Sequence, residues 1–167
     1  SSVGSRARTY SSTGVLPAPF VDKDADGLAD LVHRAGDASF AFYRSTGAVA
    51  WEAAPRSLAT AGSWPLWPFD AASGAATRAV DIDGNRRSDI LHADADACRL
   101  WMQLPGGRYA RESQFAPVRD GNAAFSLASP GATLADMNGD GLQDLAWIQP
   151  SRVVFWASRG RGRFAEA

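Results

Sequence analysis

The chain is poor in several things that would otherwise decide its class. Of its 167 residues one is cysteine, Cys98, so no intrachain disulfide can form and a disulfide-stapled scaffold is excluded. One lysine, Lys23, stands against sixteen arginines, and the formal net charge is −1. Bulk charge therefore gives no footing for nucleic acid. No apolar run approaches the ~20 residues of a membrane-spanning helix. No basic start followed by an apolar core marks a secretory leader. Helical periodicity is weak throughout. The motifs of common enzyme classes are also missing: there is no His-Glu-X-X-His, no Gly-X-Ser-X-Gly, no phosphate loop and no dinucleotide fingerprint. A chain without catalysis is expected.

Glutamate is scarce too, and that scarcity is the most informative. Three Glu stand against fifteen Asp, and ten of the Asp fall in three short clusters. A solvated surface mixes the two acids freely. Concentrating the shorter one points to tight loops that need a compact oxygen ligand. The clusters align as nine-residue segments, Asp22 to Asp30, Asp81 to Asp89 and Asp136 to Asp144, whose starts are 59 and 55 residues apart (81 − 22 and 136 − 81). Each final Asp is followed by two apolar residues and then His33, His92 or Trp147. About twelve residues beyond it comes an aromatic: Phe42-Tyr43, Trp101 or Phe155-Trp156. A glycine turn and a further apolar or aromatic residue close each unit.

The loop spacing suits a hard dication. Calcium takes six to eight oxygens at about 2.3 to 2.6 Å, and carboxylates at alternate positions of a tight loop can all point inward. The first loop offers Asp22, Asp24, Asp26, the carbonyl of Leu28, and Asp30 at positions 1, 3, 5, 7 and 9. The second offers Asp81, Asp83, Asn85, the carbonyl of Arg87, and Asp89. The third offers Asp136, Asn138, Asp140, the carbonyl of Leu142, and Asp144. Glycine stands at position 6 in the first and third loops, where a sharp turn is needed, but Arg86 stands there in the second. Up to three calcium ions are expected, the second site being the weakest. An EF-hand is excluded because position 12 is His33, His92 or Trp147 rather than a bidentate Glu.

Each repeat reads as strand, acidic loop, strand, turn, strand, glycine turn, strand. Four short strands in roughly 40 to 60 residues mark a β-propeller blade. The expected architecture is all-β, with about three four-stranded antiparallel blades. Residues 1–16 would hold the outer strand of a preceding blade. Residues 17–75 would form the first blade, 76–131 the second and 132–167 a partial third. Three blades are too few to close a ring. The chain is therefore expected to be a segment of a larger propeller, or to have its open ends covered by another copy or a partner.

The remaining features read as structure. Cys98 lies in a strand as a small buried apolar residue, and Trp101 and Trp156 pack within blades. Segments 53–74 and 114–130 read as connecting loops. Trp64 and Trp67, in a proline-rich stretch, are the residues on which a carbohydrate-binding alternative would rest, because exposed aromatic rings stack on sugars. The basic stretch from Arg159 to Arg163 reads as a solvated turn.

The motif Asp-X-Asp/Asn-X-Asp/Asn-Gly-X-X-Asp followed by an apolar residue resembles the FG-GAP/VCBS repeat of integrin-α-type propellers, over about Pro17 to Phe164. The third repeat, Leu134 to Gln149 with Arg152 to Trp156 and Gly160 to Phe164, is similar to the propeller region of SpvB-type and Tc-toxin B-component proteins of bacteria. It departs from them in having Ala157-Ser158 after the tryptophan, where Pro-Asn is often found. The resemblance implies a calcium-braced scaffold within a large secreted or extracellular toxin or RHS-type shell, with partner subunits and no membrane span.

Overall fold

Short runs of Val, Ile, Leu, Phe and Trp broken by Gly, Asp and Ser leave the backbone few places to hydrogen-bond except across to the next run. In the computed structural model most such runs among the described residues are strands. The structure describes residues 20–24, 26–36, 39–48, 50–57, 74–105, 108–110 and 113–165. Among them there is no α-helix, only a single 3-10 turn at Gly74–Ala76. No helix among the described residues is long and apolar enough to cross a membrane.

The first repeat contains β1 (Phe20–Val21), β2 (Asp30–Gly36), β3 (Ser39–Tyr43), β4 (Ser45–Gly47), β5 (Ala50–Trp51) and β6 (Arg56–Ser57). Its four-stranded sheet runs β1-β2-β3-β6, and β4 pairs with β5 as a separate ribbon. The second repeat contains β7 (Thr77–Val80), β8 (Asp89–Ala93), β9 (Cys98–Trp101) and β10 (Ser113–Phe115), paired in that order. A ribbon of β11 (Arg119–Asp120) and β12 (Ala123–Ala124) follows. The third repeat contains β13 (Ala132–Ala135), β14 (Asp144–Gln149) and β15 (Arg152–Trp156), again paired in order. All these pairings are antiparallel.

Equivalent registers confirm the repeat. Val21 pairs with Asp30, Val80 with Asp89, and Ala135 with Asp144, so each acidic loop joins the first two strands of its sheet. Bridges Gln103↔Tyr109 and Ser158↔Phe164 stand at matching places in the second and third repeats, and the Ser45↔Trp51 pair stands there in the first.

The sheets are held together by two apolar clusters, each spanning a junction between consecutive repeats. Val21, Val32 and Phe42 of the first meet Ile90, Trp101 and Tyr109 of the second. Ile82, Leu91 and Leu100 of the second meet Phe125, Leu145 and Trp156 beyond them. Cys98 is fully buried in this second cluster, and Trp101 and Trp156 are buried as expected. Segment 114–130 differs from its reading as a plain loop. The β11–β12 ribbon turns within it, and Phe125 and Leu127 are buried in the core. Polar neighbours dilute these two residues in the sequence, and only the ribbon turns both inward.

Candidate metal centre

The three acidic loops share one hydrogen-bonding scheme, which begins at position 1. The carboxylate there accepts the amide of position 6: Gly27 N–H to Asp22 at 2.9 Å, Arg86 N–H to Asp81 at 2.7 Å, and Gly141 N–H to Asp136 at 2.9 Å. At position 5, Asp26, Asn85 and Asp140 accept the amide of position 7 at 2.9, 2.8 and 2.9 Å. These are Asx turns, the local geometry that favours Asp and Asn over Glu. Position 6 needs a left-handed backbone in every loop: φ is 85° at Gly27, 65° at Arg86 and 86° at Gly141. Arg86 adopts the conformation of the glycine it stands in for, at a steric cost that glycine avoids.

Position 9 is a different kind of residue. Asp30, Asp89 and Asp144 have no exposed surface. One carboxylate oxygen accepts the amide of position 2 in the same loop: Lys23 at 3.0 Å, Ile82 at 3.3 Å, Met137 at 2.9 Å. The other accepts an amide just past the third strand: Ser45, Gln103 and Ser158, each at 2.7 Å. Each buried aspartate thus ties its loop to the backbone just past the third strand of its repeat. Burial pushes the Asp89 carboxyl up to about 7, against the pull of the Gln103 and Ile82 amides, and the nearby Asp83 and Asp81 charges add to the rise. Burial likewise raises Asp30.

In the first two loops three carboxylates converge. Oxygens of Asp22, Asp24 and Asp30 lie within 4.8 Å of one another, as do those of Asp81, Asp83 and Asp89. In the third loop position 3 is an amide, Asn138, which donates to Asp140 at 2.9 Å. A buried oxygen of Asp22, Oδ1, has no hydrogen-bond partner. A carboxylate oxygen withdrawn from water and left unpaired suits a cation ligand, so the residues present fit a hard dication. Arg44 works the other way in the first loop. Its guanidinium bonds Asp24 through Nε and Asp26 through a terminal nitrogen at 2.6 Å, supplying positive charge to two of the expected ligands. Arg44 follows β3 with no motif around it, so nothing in the sequence singled it out.

The loops lie at the junctions between repeats. A Cβ on Gly84 would stand 3.5 Å from Leu142 Cδ2, which puts the second loop beside the third. The first loop meets the second repeat through Lys23, fully buried with its ammonium 4.2 Å from the Tyr109 ring centroid. Burial lowers the Lys23 pKa to about 7, partly opposed by Asp30. The Lys23 carbonyl accepts the Gln103 side-chain amide.

Elsewhere, Thr77 Oγ1 lies 2.9 Å from His92 Nδ1, and His92 Nε2 lies 2.7 Å from Asp94. The order hydroxyl, imidazole, carboxylate is that of an acid–base relay, but Thr77 is fully buried and His92 nearly so. Trp64 and Trp67 lie outside the described residues.

No family model and no curated protein matches the chain. Solved structures do. A chain of the Photorhabdus luminescens Tc holotoxin pore, with a variant TccC3, is similar at a TM-score of 0.66 and 22% identity, over 89% of this chain and 7% of that one. A chain of the TcdB2–TccC3–Cdc42 complex is similar at 0.56 and 18%, over 87% of this chain and 6% of that one. A TcdB2–TccC3 structure without its hypervariable C-terminal region gives the same values. The chain therefore has the fold of a small part of Tc toxin components, and spans under a tenth of the chains it matches.

Proposed function

We propose that the chain is a calcium-braced β-propeller segment of the FG-GAP/VCBS type, serving without catalysis as a scaffold in a secreted bacterial toxin assembly. Its blades would be the three sheets described above, and its partners other blades or subunits of that assembly. One observation carries the reading: three equivalent loops in which a buried aspartate ties the loop to its sheet while the remaining oxygen-bearing side chains gather at the loop. Asp22, Asp24, Asp26 and Asp30 would hold the first ion, Asp81, Asp83, Asn85 and Asp89 the second, and Asp136, Asn138, Asp140 and Asp144 the third. A bound calcium ion would neutralise side chains that otherwise repel one another and would brace each loop at its blade junction. The likeness to Tc toxin components supports the assembly role through the fold.

Titration calorimetry of the decalcified chain with calcium chloride tests the proposal. Binding heat is expected, reduced in turn by Asp22→Ala, Asp81→Ala and Asp136→Ala. Absence of heat from the folded chain, or heat unchanged in all three variants, would overturn the calcium reading.

A further inference from the structure

The two junctions follow one rule, and among the described residues the rule leaves two sets of apolar side chains exposed. One face of each sheet receives the next repeat. In the second repeat this face carries Ile82, Ala93, Cys98 and Leu100, all 0–1% exposed beneath the third repeat and the Phe125–Leu127 segment that leads into it. Their equivalents in the third repeat, counted from the position-9 aspartate, are Met137, Ile148, Val153 and Phe155. Those four are 41%, 56%, 51% and 39% exposed. They make up four of the seven large apolar side chains that stand exposed among the described residues.

The opposite face of each sheet packs back onto the preceding repeat. Tyr109 is fully buried there in the second repeat, and Phe164 packs into the cluster in the third. The equivalent in the first repeat is Trp51, six residues after Ser45 as Tyr109 is after Gln103 and Phe164 after Ser158. Trp51 is 37% exposed, and its ring centroid lies 6.2 Å from that of Phe20, which is 61% exposed. Phe20 corresponds in turn to Ala79 and Leu134, both packed against a junction cluster. Among the described residues, the chain therefore shows one exposed set of apolar side chains of each kind.

We propose that these surfaces bind each other between two copies of the chain, head to tail. The Phe20–Trp51 face of one copy would seat on the Met137–Phe155 face of the next, continuing the junction already formed twice within each copy. Large apolar patches on soluble domains mark contact surfaces, and a heterologous contact of this kind adds copies until a ring closes or a filament grows. The proposal deepens the scaffold reading by naming a partner. It fails separately from calcium binding, because Phe155 and Trp51 lie on strands outside the acidic loops.

Sedimentation velocity of the 167-residue chain in calcium buffer tests it. Association that rises with concentration is expected. Phe155→Lys and Trp51→Lys each spoil one surface and leave the other, and since both side chains are exposed the fold, checked by circular dichroism, should persist. Each variant alone should associate about tenfold or more weakly. An equimolar mixture of the two should form a one-to-one dimer through the remaining intact pair of surfaces. A wild-type chain that stays monomeric at every concentration would overturn the proposal, as would either variant associating as the wild type does.

Discussion

At the scale of single residues, the position-9 aspartates and the position-1 aspartates look alike in the sequence and do different work. Asp144 is itself buried and accepts two amides from separate elements, the buried one of Ser158 and the part-buried one of Met137, whereas Asp136 is exposed and accepts amides that water could satisfy instead. Leaving two amides unpaired is costly, so Asp144→Ala is expected to lower the unfolding free energy by about 2–5 kcal/mol. Asp136→Ala in calcium-free buffer should cost clearly less. Urea unfolding of both variants measures the difference, and equal losses would refute the distinction. Arg86 offers a test of opposite sign. It holds φ at 65°, where an L side chain is strained. Arg86→Gly should therefore raise stability by about 1 kcal/mol in the same assay, a gain that vanishes if the strain is absorbed elsewhere.

At the scale of elements, the turns decide how strands meet. The β8–β9 turn is organised by Asp94, which accepts the amides of Asp96 and Ala97 at 2.9 and 2.8 Å and faces His92. Burial acts to raise its pKa, but the Ala97 amide, His92 and the Asp96 amide outweigh it and hold Asp94 below the ordinary 3.8. A carboxyl depressed in the folded state contributes stability that is fully present above its unfolded pKa and fades as pH falls through the folded value. The stability gap between wild type and Asp94→Ala should therefore narrow as pH falls below about 4. A gap that widens below that pH would contradict the assignment. The glycine turn after β15 matters for another reason. Gly162 has φ 71°, and a Cβ there would come within 2.7 Å of Leu100 Cδ2 and 3.3 Å of Phe115. Gly162→Ala should cost about 1–3 kcal/mol in chemical denaturation, because the third repeat's turn would be pushed off the second repeat.

At the scale of the whole molecule, the acidic loops and the apolar junctions are one mechanical system. The position-2 residues Lys23 and Ile82 belong to the loops yet are fully buried, Lys23 against Tyr109 and Ile82 in the second junction cluster. If calcium braces the loops, removing it should loosen the junctions as well. A ligand that binds only the folded state stabilises it by mass action, about 2.7 kcal/mol at a hundredfold excess over Kd. Excess chelator added to a calcium-loaded sample is therefore expected to lower the Tm of the whole cooperative transition. An unmoved Tm would separate the loops from the fold's stability.

The period of the acidic loops, the strand character of the runs around them and the burial of Cys98, Trp101 and Trp156 were all legible in the sequence. They are local or repeating signals: a tight Asx turn needs Asp or Asn, and a buried strand needs apolar residues at matching offsets. Segment 114–130 was not legible in this way, since Phe125 and Leu127 acquire their roles only through the turn of a ribbon. Nor was the division of labour within each loop. Whether an aspartate faces solvent or is sealed between two amides depends on a strand 14 or 15 residues further on. The same holds for Arg44 reaching across to Asp24 and Asp26, and for Lys23 lying over Tyr109. Motif spacing determined which residues share a loop. Tertiary packing alone decided which of them are buried, which are cross-linked, and which apolar faces remain uncovered, because those outcomes depend on surfaces brought together from distant parts of the chain.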